Sequence, residues 1–315
     1  MPNLVALDDV AKSLVNNLRR FRNPLGLSID KLTEWSKGLS FDNASDTYLY
    51  TGGLYQMIPY INSLIDGMNR LEGSIPGGIG MVKLLERFGF NVSSFYSSVT
   101  AKETARYNVI ITNLYSLLKK EGINFGYLGD EEIYSGVILY DLGLDDEFGE
   151  IARQLAKKLK EKRVAKLITM DPHSTFILRS IYPKYVEGFD VEIVHYMELL
   201  KADKHKRDKD TSKIFSIHDP CLLARNLDLS QRYRDFAESL GLKIAEPLMS
   251  KRHTYCCGGP IENIAPRVSN SIAKNRCTQL AKLGSNALVA CPICLSNLGR
   301  ACKDRMNVYD LLEMV

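Results

Sequence analysis

The chain has 315 residues, of which 45% are hydrophobic and 25% carry a charge. These are ordinary globular values, so the composition excludes intrinsic disorder, a collagen-like repeat and a small disulfide-dense scaffold as overall classes. The net charge of +4 is mild and does not predict a nucleic-acid partner. No stretch approaches the roughly 20 apolar residues of a membrane span, and the N-terminus lacks a secretory signal pattern. The length suggests two units.

The first half of the chain begins with an amphipathic pattern, because apolar residues recur there at helical spacing: Val10, Leu14, Leu18 and Phe21. Residues 1–44 are therefore predicted to form a helical arm. Short strands are predicted at 48–50, 108–111, 124–128, 165–170 and 191–194. Helices are predicted at 54–71, 114–121 and 147–162.

The second half follows a charged segment, 201–210, which is predicted to be a solvated linker. Strands are predicted at 213–217, 242–246 and 287–290, with helices at 230–240, 267–283 and after residue 294. This alternation predicts an α/β fold with a largely parallel sheet.

The two halves share an internal pattern in the same order. Residues 48–53 match 216–221, residues 133–136 match 255–258, and residues 167–174 match 287–294. The pattern predicts a duplication, with an insertion near 71–108 in the first copy. We expect one lobe at 45–200 and another at 211–315, on either side of the linker.

The cysteines are confined to the last third of the chain, between Cys221 and Cys302. Five of the seven form a pattern: Cys221, then 34 residues, then Cys256-Cys257, then 33 residues, then Cys291-x-x-Cys294. Each group follows a predicted strand or turn, and the carboxyl ends of parallel strands line one crevice. We therefore expect the five thiols to converge on one site for metal binding or thiol chemistry.

Five thiolates exceed what a simple site needs. A tetrahedral zinc ion takes at most four ligands, and an ordinary cubane iron–sulfur cluster also takes four. Side chains of adjacent cysteines diverge in regular structure, so Cys256 and Cys257 both reach one small ion only through a special turn. A larger, less symmetric cluster uses all five more naturally, with zinc on four of them as the alternative.

The pattern His-Asp-Pro-Cys at 218–221, Cys-Cys-Gly at 256–258 and Cys-Pro-x-Cys at 291–294 resembles the CCG cysteine-rich domain. That domain occurs in the B subunit of heterodisulfide reductase and in subunits of glycolate, glycerol-3-phosphate, lactate and archaeal succinate dehydrogenases. The resemblance implies two Rossmann-like CCG lobes about a pseudo-twofold axis. It also implies one noncubane [4Fe-4S] cluster, held by Cys221, Cys256, Cys257, Cys291 and Cys294.

The first lobe lacks those ligands. Its matching positions hold other residues, namely Gly53, Tyr134, Ser135, Asp171 and Ser174, so no such cluster is expected there. The resemblance implies an oxidoreductase that is active only within a heterodisulfide-reductase-like complex, as its B subunit. The expected partners are a ferredoxin-like C subunit together with a flavoprotein A subunit, and the expected substrate is a thiol, a disulfide or protein-bound sulfur.

Two other functions fit the same residues. One is a structural zinc site, and the other is an electron-relay subunit of a quinone-linked succinate- or hydroxyacid-dehydrogenase-type complex. In each case we expect a cytoplasmic protein, with any membrane attachment supplied by partners.

Single residues near the motifs carry smaller expectations. His218 is the one catalytic candidate, as a hydrogen-bond donor to a cluster sulfide or a proton carrier, with a structural histidine as the alternative. His173 is predicted to have a packing role, and Arg225 is predicted to be solvated. Cys277 and Cys302 are predicted to be structural core residues outside the ligand set.

Overall fold

The computed structural model of this chain describes residues 7–74, 96, 99–201, 205, 210–262 and 265–315. Much of the predicted insertion near 71–108 and most of the predicted linker at 201–210 lie outside these residues. Within them, the chain forms two four-stranded sheets joined by helices.

The first sheet is entirely parallel and has the strand order β2-β1-β3-β4. Its strands are β1 (Thr47–Tyr50), β2 (Gly126–Tyr127), β3 (Lys166–Thr169) and β4 (Glu192–His195). The second sheet is also parallel, in the order β6-β5-β7-β8. Its strands are β5 (Asp210–Ile217), β6 (Leu242–Ala245), β7 (Asn286–Val289) and β8 (Asn307–Asp310). The predicted α/β class with parallel sheets is thus confirmed.

Helices fill the connections between the strands. In the first half they are α1 (Leu7–Phe21), α2 (Ile29–Thr33), α3 (Leu54–Ser74), α4 (Ala101–Lys120), α5 (Val137–Asp141), α6 (Asp145–Glu161), α7 (Pro172–Phe176), α8 (Tyr182–Tyr185) and α9 (Tyr196–Leu199). In the second half they are α10 (Cys221–Arg225), α11 (Ser230–Ser239), α12 (Pro266–Ala281) and α13 (Pro292–Cys302). No helix in the described part of the chain is long and apolar enough to cross a bilayer.

The predicted strand at 108–111 is wrong, because these residues lie inside α4. Thr100 and Glu103 form a capping box that satisfies the free N–H groups at the start of this helix. The buried residues of α4 recur at helical spacing: Tyr107, Ile110, Ile111, Leu114, Leu117 and Leu118. The apolar run at 109–111 is therefore part of a helical face that packs into the core.

Side chains of the two halves contact each other directly. The Tyr55 hydroxyl of α3 donates to the Asp310 carboxylate at the end of β8, at 2.8 Å. Arg106 of α4 pairs with Glu313 at 2.7 Å, and the Ser296 hydroxyl of α13 donates to Asn62 at 2.7 Å. These contacts place helices α3 and α4 of the first half beside the end of β8 and helix α13 of the second half.

Candidate metal centre

The five motif cysteines lie at the carboxyl edge of the second sheet. Cys221 opens α10, just after β5, and Cys291 is the N-cap of α13, just after β7. Cys294 follows in the first turn of α13, while Cys256 and Cys257 lie in the turn that leads to Gly258. Strand ends in a parallel sheet meet at one edge, and this brings sequence-distant residues together.

The structure links all five sulfurs through thiol contacts. The Cys294 thiol donates to the Cys257 sulfur at an Sγ–Sγ distance of 3.4 Å. The other sulfurs are close enough to shift one another's pKa, with Cys221 acting on Cys256, Cys256 on Cys257, and Cys294 on Cys291. The five predicted ligands therefore form one continuous cluster of sulfur atoms.

The site is closed at one end and open at the other. Cys257, Cys291 and Cys294 are at most 3% exposed, whereas Cys221 and Cys256 are half-buried. A molecule arriving from solvent would meet the Cys221–Cys256 end first.

The turn after the paired cysteines explains how both can face one site. Gly258 has a φ of +83°, which side chains rarely adopt. Its N–H donates to the Cys256 sulfur at 3.2 Å, and the N–H of Gly259 donates to the Cys257 sulfur at 3.5 Å. A Cβ at Gly258 would lie 2.5 Å from the carbonyl oxygen of Ser269, so this turn requires glycine.

The thiols divide into two groups by acidity. Hydrogen bonds from Cys221 and then Cys257 lower the pKa of Cys256. Burial alone would raise the pKa of Cys291, but hydrogen bonds from neighbours, with Cys294 foremost, reverse this effect and lower it. The pKa values of the donating thiols Cys221 and Cys294 are raised, chiefly because each donates to a neighbouring sulfur. The pKa of Cys257 is raised as well, chiefly because it donates to Cys256. The arrangement thus favours the thiolate, the form that binds metals, at Cys256 and Cys291.

His218 is buried against the sulfurs. A ring nitrogen of this residue, the Cys257 sulfur and the Cys294 sulfur all lie within 4.8 Å of one another. The Nε of Arg276 donates to His218 Nδ1 at 3.1 Å, and burial lowers the pKa of His218 to about 3. The ring is therefore neutral at pH 7.

A buried ion pair supports the start of the motif. Arg234 donates to both carboxylate oxygens of Asp219, at 2.7 and 2.9 Å, and the N–H of Lys251 adds a third hydrogen bond at 2.7 Å. Burial alone would raise the pKa of Asp219, but the hydrogen bonds from Arg234 and Lys251 outweigh burial and lower it. The Thr254 hydroxyl donates to the Asp219 carbonyl at 3.0 Å, which ties the two cysteine-bearing segments together.

Arg225 is exposed, as predicted, and it has a structural contact in addition. Its guanidinium donates to the carbonyl oxygens of Arg252, at 3.1 Å, and Thr254. It therefore braces the backbone that leads to Cys256. No local pattern in the sequence signals this contact, because the donor and its acceptors are 27 and 29 residues apart.

The cysteine-free half also reaches the centre. His173 in α7 interacts electrostatically with Cys291, and α7 packs against α10. Burial alone would lower the pKa of His173, but the charge and hydrogen bond of Cys291 outweigh burial and raise it to about 9. From the sequence, only a packing role was predicted for His173, and its interaction with Cys291 was missed. The internal match was the available signal, since His173 aligns with Ile293 between the last two cysteines.

Two buried carboxylates hold backbone near the matching positions of the first half. The Glu132 carboxylate accepts hydrogen bonds from the backbone N–H and the hydroxyl of Thr51, and the Thr51 hydroxyl oxygen accepts the N–H of Gly53 at 3.2 Å. The Asp171 carboxylate accepts the N–H groups of His173 and Ser174, both at 2.9 Å. Burial raises the pKa of Glu132 to about 7. Carboxylates thus satisfy backbone N–H groups in this part of the first half.

The remaining two cysteines lie in the core, as predicted. Cys277 and Cys302 are each at most 1% exposed. The structure joins them as a disulfide with a Cα–Cα distance of 5.5 Å, which the sequence did not predict. The pairing arises because α12 and α13 pack side by side.

The arrangement of the cysteines agrees with comparison to known families. Residues 215–299 match the family described as the CCG cysteine-rich domain. The chain contains a CCG domain. This match includes all five linked cysteines and His218.

Curated relatives extend the similarity beyond the CCG domain. A Methanosarcina mazei protein, named as the D subunit of dihydromethanophenazine:CoB–CoM heterodisulfide reductase, is 30% identical over 67% of this chain and 56% of its own length. A Bacillus subtilis protein named probable iron-sulfur-binding oxidoreductase is 27% identical over 65% of this chain and 31% of its own length. The EtfAB:quinone oxidoreductase of Syntrophomonas wolfei is 27% identical over 75% of this chain and 35% of its own length. The chain thus spans between about a third and just over half of these relatives.

Proposed function

We propose that the CCG domain binds an iron–sulfur cluster and that the chain serves as an electron-transfer subunit of an oxidoreductase complex. The observation that carries this proposal is the continuous contact among five cysteine sulfurs, three of them fully buried. When bound, the cluster supplies one-electron redox chemistry. The names of the relatives, which include iron–sulfur-binding and quinone oxidoreductases, support the same role.

The donor set fits a cluster better than a single zinc ion. Zinc needs four ligand atoms, each about 2.0–2.3 Å from the metal. Among the described residues, the one compact group able to hold a metal has three members: His218, Cys257 and Cys294. The other three sulfurs lie outside this group but interact with it or with one another, which suits a cluster larger than a single ion.

We propose further that the cluster is noncubane and is held by Cys221, Cys256, Cys257, Cys291 and Cys294. The two half-buried sulfurs, those of Cys221 and Cys256, are the ones a sulfur-containing substrate would approach. The expected complex is heterodisulfide-reductase-like and lies in the cytoplasm, with a ferredoxin-like C subunit together with a flavoprotein A subunit. The similarity to the D subunit of heterodisulfide reductase supports a complex of this general type.

A duplication accounts for both halves. The two sheets have the same relative strand order, 2-1-3-4 in one and 6-5-7-8 in the other. His195 and Asp310 end the matching strands β4 and β8, and each forms a capping box with the residue three positions later. Gly136 and Gly258 occupy matching left-handed turns, with φ values of +79° and +83°. We propose two Rossmann-like lobes, 45–200 and 211–315, related by a pseudo-twofold axis, after a helical arm at 1–44.

Metal analysis of the anaerobically purified full chain tests the cluster. We expect about four irons per chain, with an EPR signal in one oxidation state. Serine at any of the five positions, for example Cys257→Ser, should reduce iron content. The control is a Cys277→Ala/Cys302→Ala chain, which removes two buried cysteines outside the set and should retain iron. Colourless protein with stoichiometric zinc would contradict the proposal and support the structural zinc site.

A second candidate is an electron-relay subunit of a quinone-linked complex. The similarity to EtfAB:quinone oxidoreductase favours it. The cluster would then pass electrons without bonding a substrate. The proteins that co-purify with the chain separate the two, since a flavoprotein of the heterodisulfide reductase type supports the first and a dehydrogenase flavoprotein supports the second.

A further inference from the structure

Arg276 and His218 form a buried pair directly behind the sulfur cluster. Both residues are 1% exposed. The guanidinium donates from Nε to His218 Nδ1 at 3.1 Å, and its second nitrogen donates to the carbonyl of Met249 at 3.0 Å and to Gln279 at 2.9 Å. The pair lies 58 residues apart in sequence, on the segment after β5 and on α12.

The contact fixes which nitrogen of His218 carries hydrogen. A guanidinium has donors and no acceptor, so Nδ1 must accept. The hydrogen of the neutral ring is then on Nε2. That Nε2 is buried and has no hydrogen-bond partner among the described residues. An N–H group left unpaired in this way is a costly arrangement unless a ligand accepts it.

The positive charge of Arg276 likewise lacks a negatively charged hydrogen-bond partner among the described residues. All three hydrogen-bond acceptors described for its guanidinium are neutral groups. The carboxylate of Asp219 acts on it through its charge, but the oxygens of Asp219 already accept bonds from Arg234 and Lys251. One further nitrogen of Arg276 is buried without a partner in the described part of the chain. A buried cation is stabilised by a nearby negative group, and a thiolate-bound cluster is one.

We infer that Arg276 and His218 are built to stabilise a negatively charged iron–sulfur centre, with His218 donating its Nε2–H to a sulfur of that centre and not binding metal. Arg276 is the positioning residue, because it holds the ring in the donating form and adds a positive charge. A ring with hydrogen on Nε2 cannot ligate zinc through that nitrogen. The pair therefore also selects against a Cys-Cys-His zinc site at this position. The inference rests on the proposed cluster.

The test is to measure the midpoint potential of the cluster in the anaerobically purified full chain. The potential is obtained from a redox titration in which EPR monitors the oxidation state of the cluster. Reduction adds negative charge, so losing a nearby cation or N–H donor disfavours the reduced state. We expect Arg276→Gln and His218→Leu to shift the potential to more negative values. Arg276→Lys, which keeps the charge, and His218→Gln, which keeps an N–H donor, should shift it less. Iron content should stay at the wild-type value in each chain.

A matched control is available in the other sheet. His195 is also fully buried, its Nδ1 accepts a backbone N–H, and its Nε2 has no partner among the described residues. We expect His195→Leu to leave the potential unchanged. Wild-type potentials in cluster-loaded Arg276→Gln and His218→Leu chains would overturn the inference.

Iron content separates failure of this inference from failure of the proposed function. Circular dichroism shows whether the His218→Leu chain folds. If the folded His218→Leu chain and the His218→Gln chain both lose iron, then His218 is a ligand and the inference fails. Wild-type protein without iron would instead refute the proposed function, so the two failures are distinguishable.

Discussion

Replacing Gly258 with alanine should disrupt the metal centre through the backbone alone. The position has a φ of +83°, and a Cβ there would lie 2.5 Å from the Ser269 carbonyl oxygen. The left-handed conformation costs a residue with a side chain about 1–2 kcal/mol. Relieving the close contact by moving backbone costs about 1–3 kcal/mol more. The Gly258 N–H also donates to Cys256, so any shift displaces a proposed ligand.

The control is Gly122→Ala, which has the same backbone strain without the contact. Gly122 has a φ of +80°, and a Cβ there would have no described atom within 4 Å. Denaturant unfolding of the anaerobic protein, followed by circular dichroism, gives both free energies of unfolding. We expect Gly258→Ala to lose about 1–3 kcal/mol more than Gly122→Ala, and to lose iron as well. Equal losses in the two variants, with iron retained, would refute the reasoning.

Three further predictions concern contacts away from the sulfurs. Arg234→Met should lower the free energy of unfolding by about 3–5 kcal/mol, because it leaves the buried Asp219 carboxylate without its partner; a loss under about 1 kcal/mol in denaturant titration would contradict this. Tyr55→Phe should cost about 1–3 kcal/mol by removing the hydrogen bond to Asp310 between the two halves, and an unchanged unfolding midpoint would show that the contact is not stabilising. Glu132 has a folded pKa of about 7, above its ordinary 4.5, so its stabilising contribution is complete below pH 4.5 and is lost as the pH rises through 7. Relative to Glu132→Gln, the wild type should lose about 3 kcal/mol between pH 4 and 8, and parallel stability profiles would exclude this role.

Most of what could be predicted about the site from the sequence came from the spacing of the cysteines. Strand signals before Cys221 and Cys291 place both at the carboxyl edge of a parallel sheet, where strand ends meet. The spacing predicted the convergence of five thiols and the exclusion of Cys277 and Cys302.

Local patterns failed where a helix and a strand look alike. Residues 108–111 form a short apolar run, which fits a buried strand as well as a helical face. The capping box at Thr100 and Glu103 was the available signal, and packing of α4 against the core decides the outcome.

The sequence by itself determined the class of fold, the strands that precede Cys221 and Cys291, and the grouping of five cysteines, because each depends on residues close together in the chain or on simple periodicity. Only the tertiary structure decided which side chains surround that set. Arg276 meets His218 across 58 residues, and Cys291 meets His173 from the other half of the chain. Such contacts depend on how whole elements pack, so no local pattern encodes them. The hydrogen bonds and charge around the proposed cluster therefore come from packing, whereas its ligands are visible in the sequence.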